Sequence, residues 1–350
     1  MNEQLLMNED FKMELTEKGE ISAMHRFGNT LVIGSKNTGK TTKLLPIMAQ
    51  KDINNKECGA TFIVGRKDIS CMLYGMAKKA KRKIVFLKPS IDEGAKKLLG
   101  FKSYEHNRMK EEIIDYEEAI SKKMIVIIDM EYALNGDDGI RATAMLLSQL
   151  QLSMHVNNDT KVSPHFIYID DSQYYLPYIE LLLTCGDDYC MASTLFLQSK
   201  KQMSDEYHDY ERMVEPNVNN YIFMNALVYE DSLYYQKQQV FYSYKEFVGR
   251  KRDVIICETK NEEGERHVTL DKMRVIDEEE TQGYLKIGLS YKKKMEKKLS
   301  ETVSEQEVKK VIQLPPVQSP IEKSIMKVYE ERRKKKQFIS PGDFGDDEVY

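Results

Sequence analysis

The apolar positions of this chain fall in short continuous runs rather than in strict alternation. They occupy residues 31–34, 58–65, 84–89, 124–129, 164–171 and 192–199, with weaker runs at 221–227 and 253–259. Each is bounded by glycine, proline or polar residues, the pattern of strands buried on both faces, as in a parallel sheet. Between them, residues 40–51, 70–79 and 140–154 carry apolar residues at helical spacing, so strand and helix alternate. The prediction is an α/β fold with a largely parallel central sheet flanked by helices. Pro46 lies inside the first predicted helix and, having no N–H, is expected to bend it or disturb its hydrogen bonds.

The stretch joining the first strand to that helix reads Gly34-Ser35-Lys36-Asn37-Thr38-Gly39-Lys40-Thr41-Thr42. Its spacing and its strand-to-helix setting are those of a phosphate-binding loop. Gly34 is expected to supply unusual backbone angles, and Gly39 a close main-chain approach to phosphate. Amides of the loop and of the helix start then face the anion. Lys40 is expected on the terminal phosphates and the Thr41 hydroxyl on magnesium, with Thr42 opening the helix. ATP and Mg2+ are the expected ligands.

The run at 164–171 ends in Asp170-Asp171, an acidic pair at a strand end. Asp170 suits the magnesium side of a triphosphate site, and Asp171 suits the attacking water, although its side chain reaches less far than glutamate. Asp129, ending the 124–129 run, is a competing acid. Two roles stay open for Gln198 at the end of the 192–199 run: sensing the terminal phosphate through a bridging water, or capping its strand. The phosphate loop, acidic strand and glutamine strand come in the order of a nucleotide-driven motor.

A length of 350 residues allows a substantial core, and 41% hydrophobic with 31% charged residues indicates a globular body with a heavily charged surface. The net charge of -4 argues against a surface that coats nucleic acid throughout, and leaves room for a local basic channel or arm. Five cysteines form no compact metal-binding pattern and are expected to be reduced. The opening Met-Asn-Glu-Gln is not a hydrophobic leader and no apolar run reaches membrane-spanning length, so a cytoplasmic protein is expected. Tyrosines and phenylalanines crowd residues 174–178 and 229–247, where base stacking competes with packing.

Three regions are expected: an arm over 1–26, a nucleotide-binding domain over 27–282 and a charged helical or flexible appendage over 283–350. The arm either lies on the surface, covers a sheet edge or closes over nucleotide. Residues 260–282 are expected to form a return hairpin or loop. The appendage holds basic clusters at 292–298 and 332–336 around the proline-rich stretch 314–320, and ends in an acidic tail. The clusters suit either phosphate backbones or solvated helices.

Taken together, the Gly34 to Thr41 loop, Pro46, Asp170-Asp171, Gln198 and Gln202 resemble the cytoplasmic ATPase domain of conjugative coupling proteins of type IV secretion, within the additional-strand RecA-like motor group. The resemblance extends over residues 27–259. It implies a RecA-like P-loop NTPase that forms a ring, commonly hexameric, and moves or recruits DNA or nucleoprotein with secretion-machine proteins at the inner face of a membrane. By that resemblance Lys40, Asp170, Asp171 and Gln198 take the catalytic positions. The sequence departs from the family at Asp171, where glutamate is usual, and at Gly65-Arg66-Lys67-Asp68, where an aspartate-proline-lysine-glycine-glutamate sequence is usual. Residues 186–191 lack the arginine that the family carries on the approach to the glutamine strand, the family's membrane anchor is absent, and residues 90–123 are short for its helical domain. Two functions remain in view: an ATP-driven motor in DNA transfer, and a nucleotide-dependent interaction module of a secretion machine. A small-molecule phosphotransferase is a third, with no acceptor pocket to name.

Overall fold

A computed structural model describes residues 8–17, 19–87, 114–130, 137–155, 163–204, 208–238, 253–260 and 266–302. The expected elements within 90–113, the phenylalanines and tyrosines at 241–247, the proline-rich stretch and the tail lie outside them. Eleven strands are described: β1 (Met13–Glu14), β2 (Glu20–Ile21), β3 (Asn29–Ile33), β4 (Gly59–Val64), β5 (Ile84–Leu87), β6 (Ile125–Asp129), β7 (His165–Ile169), β8 (Met191–Leu197), β9 (Val218–Phe223), β10 (Val254–Lys260) and β11 (Arg266–Lys272). Nine of them form one sheet in the order β11-β10-β9-β3-β8-β7-β4-β6-β5. Neighbours from β9 to β5 run parallel, while β10 is antiparallel to both β9 and β11. Of the hairpin and loop foreseen for 260–282, the hairpin forms.

The continuous apolar runs acquire a period of two once they are pleated, because successive side chains point to opposite faces. Val32, Phe62, Val64, Phe166, Tyr168 and Phe196 join one core. Their neighbours Leu31, Ile33, Ile63, Ile167, Ile169 and Leu195 join the other. The first face is covered by the helices Leu45–Asn54 and Lys67–Lys79 and the second by Asp137–Leu152 and Glu180–Cys185, whose apolar residues belong to the same two cores. His165 is a core residue paired with Thr61 at 2.8 Å, and burial pushes its pKa down to about 3.

The segment before β3 is packed rather than lying loose on the surface. Phe11, Met13, Leu15 and Ile21 are buried, and the Phe11 ring meets Phe27 and Phe166 at 5.7 and 6.3 Å. Buried Arg26 fixes its end, donating to both carboxylate oxygens of Asp52 at 2.5 and 2.6 Å while lying 3.9 Å over the Phe166 ring.

The boundary expected after residue 282 falls inside the helix Glu278–Thr302, and the first compact unit of the chain runs through Ser300. This helix crosses Lys67–Lys79 antiparallel at a spacing that only glycine permits. A Cβ on Gly75 would stand 2.1 Å from the Tyr284 carbonyl oxygen, and one on Gly288 would stand 2.0 Å from that of Cys71. The close approach lets Tyr291 stack on Tyr74 with ring centroids 3.9 Å apart.

Two substitutions in this helix separate packing from helix propensity. Gly283 has nothing within 4 Å of an added Cβ. Gly283→Ala should therefore stabilise the fold by about 0.5–1 kcal/mol. Gly288→Ala gains the same propensity but must push the helices apart, and should destabilise by about 1–3 kcal/mol. Urea denaturation of both variants checks the opposite signs.

Candidate functional site

The loop from β3 leaves the sheet at its carboxyl edge, the edge where parallel α/β sheets take their ligands. The unusual backbone angles expected of Gly34 are found at Gly39 instead. Gly34 has no left-handed backbone; a Cβ there would lie 2.4 Å from the Met224 Cβ. Gly39 is the left-handed residue, at φ +95°, and Asn37 shares that region at φ 66°. Alternation of this kind turns successive N–H groups into one concavity suited to an anion. The Gly34 and Ser35 amides are already committed, donating to Leu197 O at 3.3 Å and Ala226 O at 3.2 Å. The brace from Met224 and Ala226 had no signal in the sequence, because it depends on β9 lying beside β3.

The helix after the loop does not begin as an α-helix. Residues Lys40–Leu44 make a wider π turn, in which the Leu44 N–H reaches Gly39 O at 3.0 Å, and the α-helix starts at Leu45. Pro46 accounts for this. Its missing N–H and its ring disfavour a regular first turn, and the wider turn accommodates both. Lys43 in the π turn is tied to the start of β10, donating to Asp253 at 2.6 Å.

Three expected residues converge under the loop. Lys40 is buried, and its ammonium donates back to the carbonyl oxygens of Gly34 and Ser35. Thr41 donates its hydroxyl to Asp170 Oδ1 at 2.9 Å, joining the loop to the end of β7 across the intervening β8. The Asp170 N–H is held by Ile63 O of β4 at 2.9 Å. Burial, opposed by the charges of Asp170 and Asp171, pushes the Lys40 pKa down. Burial first, and then the Asp171 charge, pushes Asp170 up to about 6, against the Thr41 hydrogen bond and Lys40. An ammonium, a hydroxyl and a carboxylate at one point can hold a phosphate and a hard cation together.

The other expected residues take varied places. Asp171 is half-buried in the left-handed region at φ 50°, heading the turn Ser172–Tyr174. Gln198 follows β8 directly, and its N–H is taken by the Gln202 side chain at 2.6 Å. Beyond it Lys200 is paired with Glu211 and Glu215 under the Tyr234 ring, 3.9 Å away. Thr42 and Lys36 are exposed, and Thr38 donates to Ser35 O at 2.8 Å.

Asp129, the competing acid, is not at this site. It ends β6 and forms a buried ion pair with Lys292 at 3.1 Å. That pair also takes Lys292 out of the basic cluster read for 292–298, while Lys293 and Lys294 remain exposed. Of the aromatic side chains, Tyr175, Tyr221 and Tyr235 are buried in the core.

No protein-family model matches the sequence, and no curated protein matches it. Solved structures do. The chain is similar to the bacterial conjugative coupling protein TrwB without its first 70 residues, in an unbound form, at 10% identity over 78% of this chain and 91% of that one, with a TM-score of 0.53. It is similar to the plasmid coupling protein TrwB in complex with the non-hydrolysable GTP analogue GDPNP, at 11% identity over 79% and 93%, with a TM-score of 0.52. The fold is that of a RecA-like P-loop NTPase. VirB4 of Thermoanaerobacter pseudethanolicus shares it, at 10% identity over 73% of this chain and 92% of that one, with a TM-score of 0.50. In this fold β8 is the strand inserted between the loop strand and the acidic strand.

Because folding raises the Asp170 pKa, it favours the protonated carboxyl. That contribution is fully present below the ordinary value of 3.8 and is lost as pH rises through about 6. Asp170→Asn keeps an acceptor for Thr41 without the buried charge. Nucleotide-free Asp170→Asn should melt about 5 °C above the wild type at pH 8, with the gap closing towards pH 5 in a fluorimetric melting series.

Proposed function

We propose that this chain binds ATP with magnesium at the Gly34 to Thr42 loop and hydrolyses it, as an oligomeric motor or coupling ATPase in conjugative DNA transfer or a related secretion system. The observation that carries the reading is the Thr41 hydroxyl meeting Asp170 at 2.9 Å beside buried Lys40. These donors fit magnesium, which takes hard oxygen ligands, one or two of them from protein and the rest from water and phosphate. Thr41 and Asp170 would hold the ion, and Mg2+ bound there would neutralise charge on the phosphate oxygens.

The remaining steps belong to the chain. The amides from Lys36 to Thr42 line the phosphates. Lys40 exchanges its two carbonyl partners for oxygens of the terminal phosphates, a favourable exchange for a buried cation. Asp171 orients the water that attacks the terminal phosphorus as the bond to the bridging oxygen breaks. Gln198 reads the presence of the terminal phosphate, its contact with Gln202 carries that state along the turn, and Lys200 in the same turn passes it to Glu211–Val214 and the helix Tyr229–Gln238. The likeness in fold to TrwB, a conjugative coupling protein, supports a hexameric assembly with DNA or nucleoprotein and secretion-machine proteins as partners. No helix among the described residues is long and apolar enough to cross a membrane. Work in the cytoplasm, with partners drawing the protein to the inner membrane face, fits that observation.

A second reading, a nucleotide-dependent interaction module, draws support from the short Asp171 side chain and from the turn Asp187–Tyr189, which carries acids where the resemblance implied an arginine. ATP hydrolysis across titrations of single- and double-stranded DNA distinguishes the two. A motor shows turnover stimulated by DNA, reduced about a hundredfold or more in Lys40→Ala and Asp170→Asn. Nucleotide binding with no turnover and no response to DNA would replace the motor by the interaction module.

A further inference from the structure

At the same sheet edge, the turn after β4 places an arginine where local chemistry argues against one. Arg66 is the residue that opens the helix Lys67–Lys79, with the N–H groups of Ile69 and Ser70 donating to its carbonyl at 3.1 and 3.0 Å. That position favours serine, threonine, aspartate or asparagine, whose side chains accept from the first amides. A guanidinium has no acceptor to offer, and its charge opposes the positive end of the helix dipole. Residues that break a local rule without a structural return concentrate at functional sites.

Its surroundings give the arginine a direction. β4 lies beside β7, and Ile63 O holds the Asp170 N–H at 2.9 Å, so Arg66 emerges next to the acid of the candidate site. The Asp170 charge reaches Arg66, adding to the effect of Asp68 in pushing its pKa up. About half of the side chain is open to solvent, and it is held by Asp68 in a two-pronged pair, Nε to Oδ1 at 3.0 Å and Nη2 to Oδ2 at 2.7 Å. A fork that fits a carboxylate in this way fits a phosphoryl group equally well. A partly exposed pair between residues two apart contributes little to stability, so exchanging one partner for another is not costly.

We propose that Arg66 engages the terminal phosphoryl group of a nucleoside triphosphate seated over Lys40 and Thr41, and that Asp68 holds the guanidinium aside while that group is absent. The proposal rests on the nucleotide site proposed above and adds to it a residue that tells triphosphate from diphosphate. Asp68 thereby sets a threshold, since its carboxylate and the phosphate compete for the same fork.

Equilibrium binding of magnesium AMPPNP and magnesium ADP to the full chain tests this in wild type, Lys40→Ala, Arg66→Ala, Arg66→Lys and Asp68→Asn. Melting curves identify any loss of folding. Arg66→Ala should weaken AMPPNP on the order of tenfold with little change in ADP. Arg66→Lys should restore only part of that loss, because an ammonium lacks the fork. Asp68→Asn, which keeps an acceptor for the helix amides, should tighten AMPPNP a few fold by freeing the arginine. If Lys40→Ala loses both nucleotides while Arg66→Ala and Asp68→Asn keep the wild-type ratio of AMPPNP to ADP affinity, Arg66 is a local helix bracket and the proposal is wrong. If Lys40→Ala binds both nucleotides as wild type does, the nucleotide site itself is misplaced, and the role of Arg66 falls with it.

Discussion

A single hydrogen bond, from Thr41 to Asp170, crosses from one strand end to another that is not its neighbour. It forms only if β8 is inserted between β3 and β7, if all three run parallel, and if their registers bring the carboxyl ends level. The pairings of Ile33 with Leu197 and of Ile169 with Leu195 meet that condition. A slip of one residue would exchange the two faces of a strand as well as move the acid, so the cores and the site are fixed by the same registers. The buried Asp170 charge is unfavourable in the free protein. The hydrophobic order around it outweighs that cost.

The parts of the fold legible in the sequence are those set by neighbouring residues. Runs such as 124–129 and 192–199 announce buried strands by composition, and the loop from Gly34 to Thr42 announces itself by spacing. Pro46 announced a disturbed helix, though not that the disturbance would be a π turn. Gly34 was recognised for the wrong reason. Gly34 answers to Met224, a residue far away in sequence, and only Gly39 answers to its own backbone angles.

What sequence reading missed was long-range. Asp129 and Asp170 each end an apolar strand, and only the second acid, Asp171, marks one of them in the sequence. The difference is a partner: Lys292 arrives from the far end of the chain to meet one, and Thr41 meets the other. The lysine-rich stretch at 292–298 looked uniform for the same reason, since no local pattern marks one of its members as buried. Arg66 stood out in the sequence only as a departure from a family pattern, and its relation to Asp170 required the β4 and β7 pairing.

The crossing of Gly75 and Gly288 has an evolutionary consequence. The obstacle at each glycine is a main-chain oxygen, so no change of side chain on the opposite helix can make room for a larger residue. A diverged sequence with a bulkier residue at either position must move the helices apart. Separation would unstack Tyr291 from Tyr74 and draw Lys292 away from Asp129, leaving a carboxylate buried without its cation. The two glycines, Tyr74, Tyr291, Asp129 and Lys292 should therefore be inherited or lost as a set. In distant homologues that set is a signature of this helix arrangement, independent of the phosphate-binding loop.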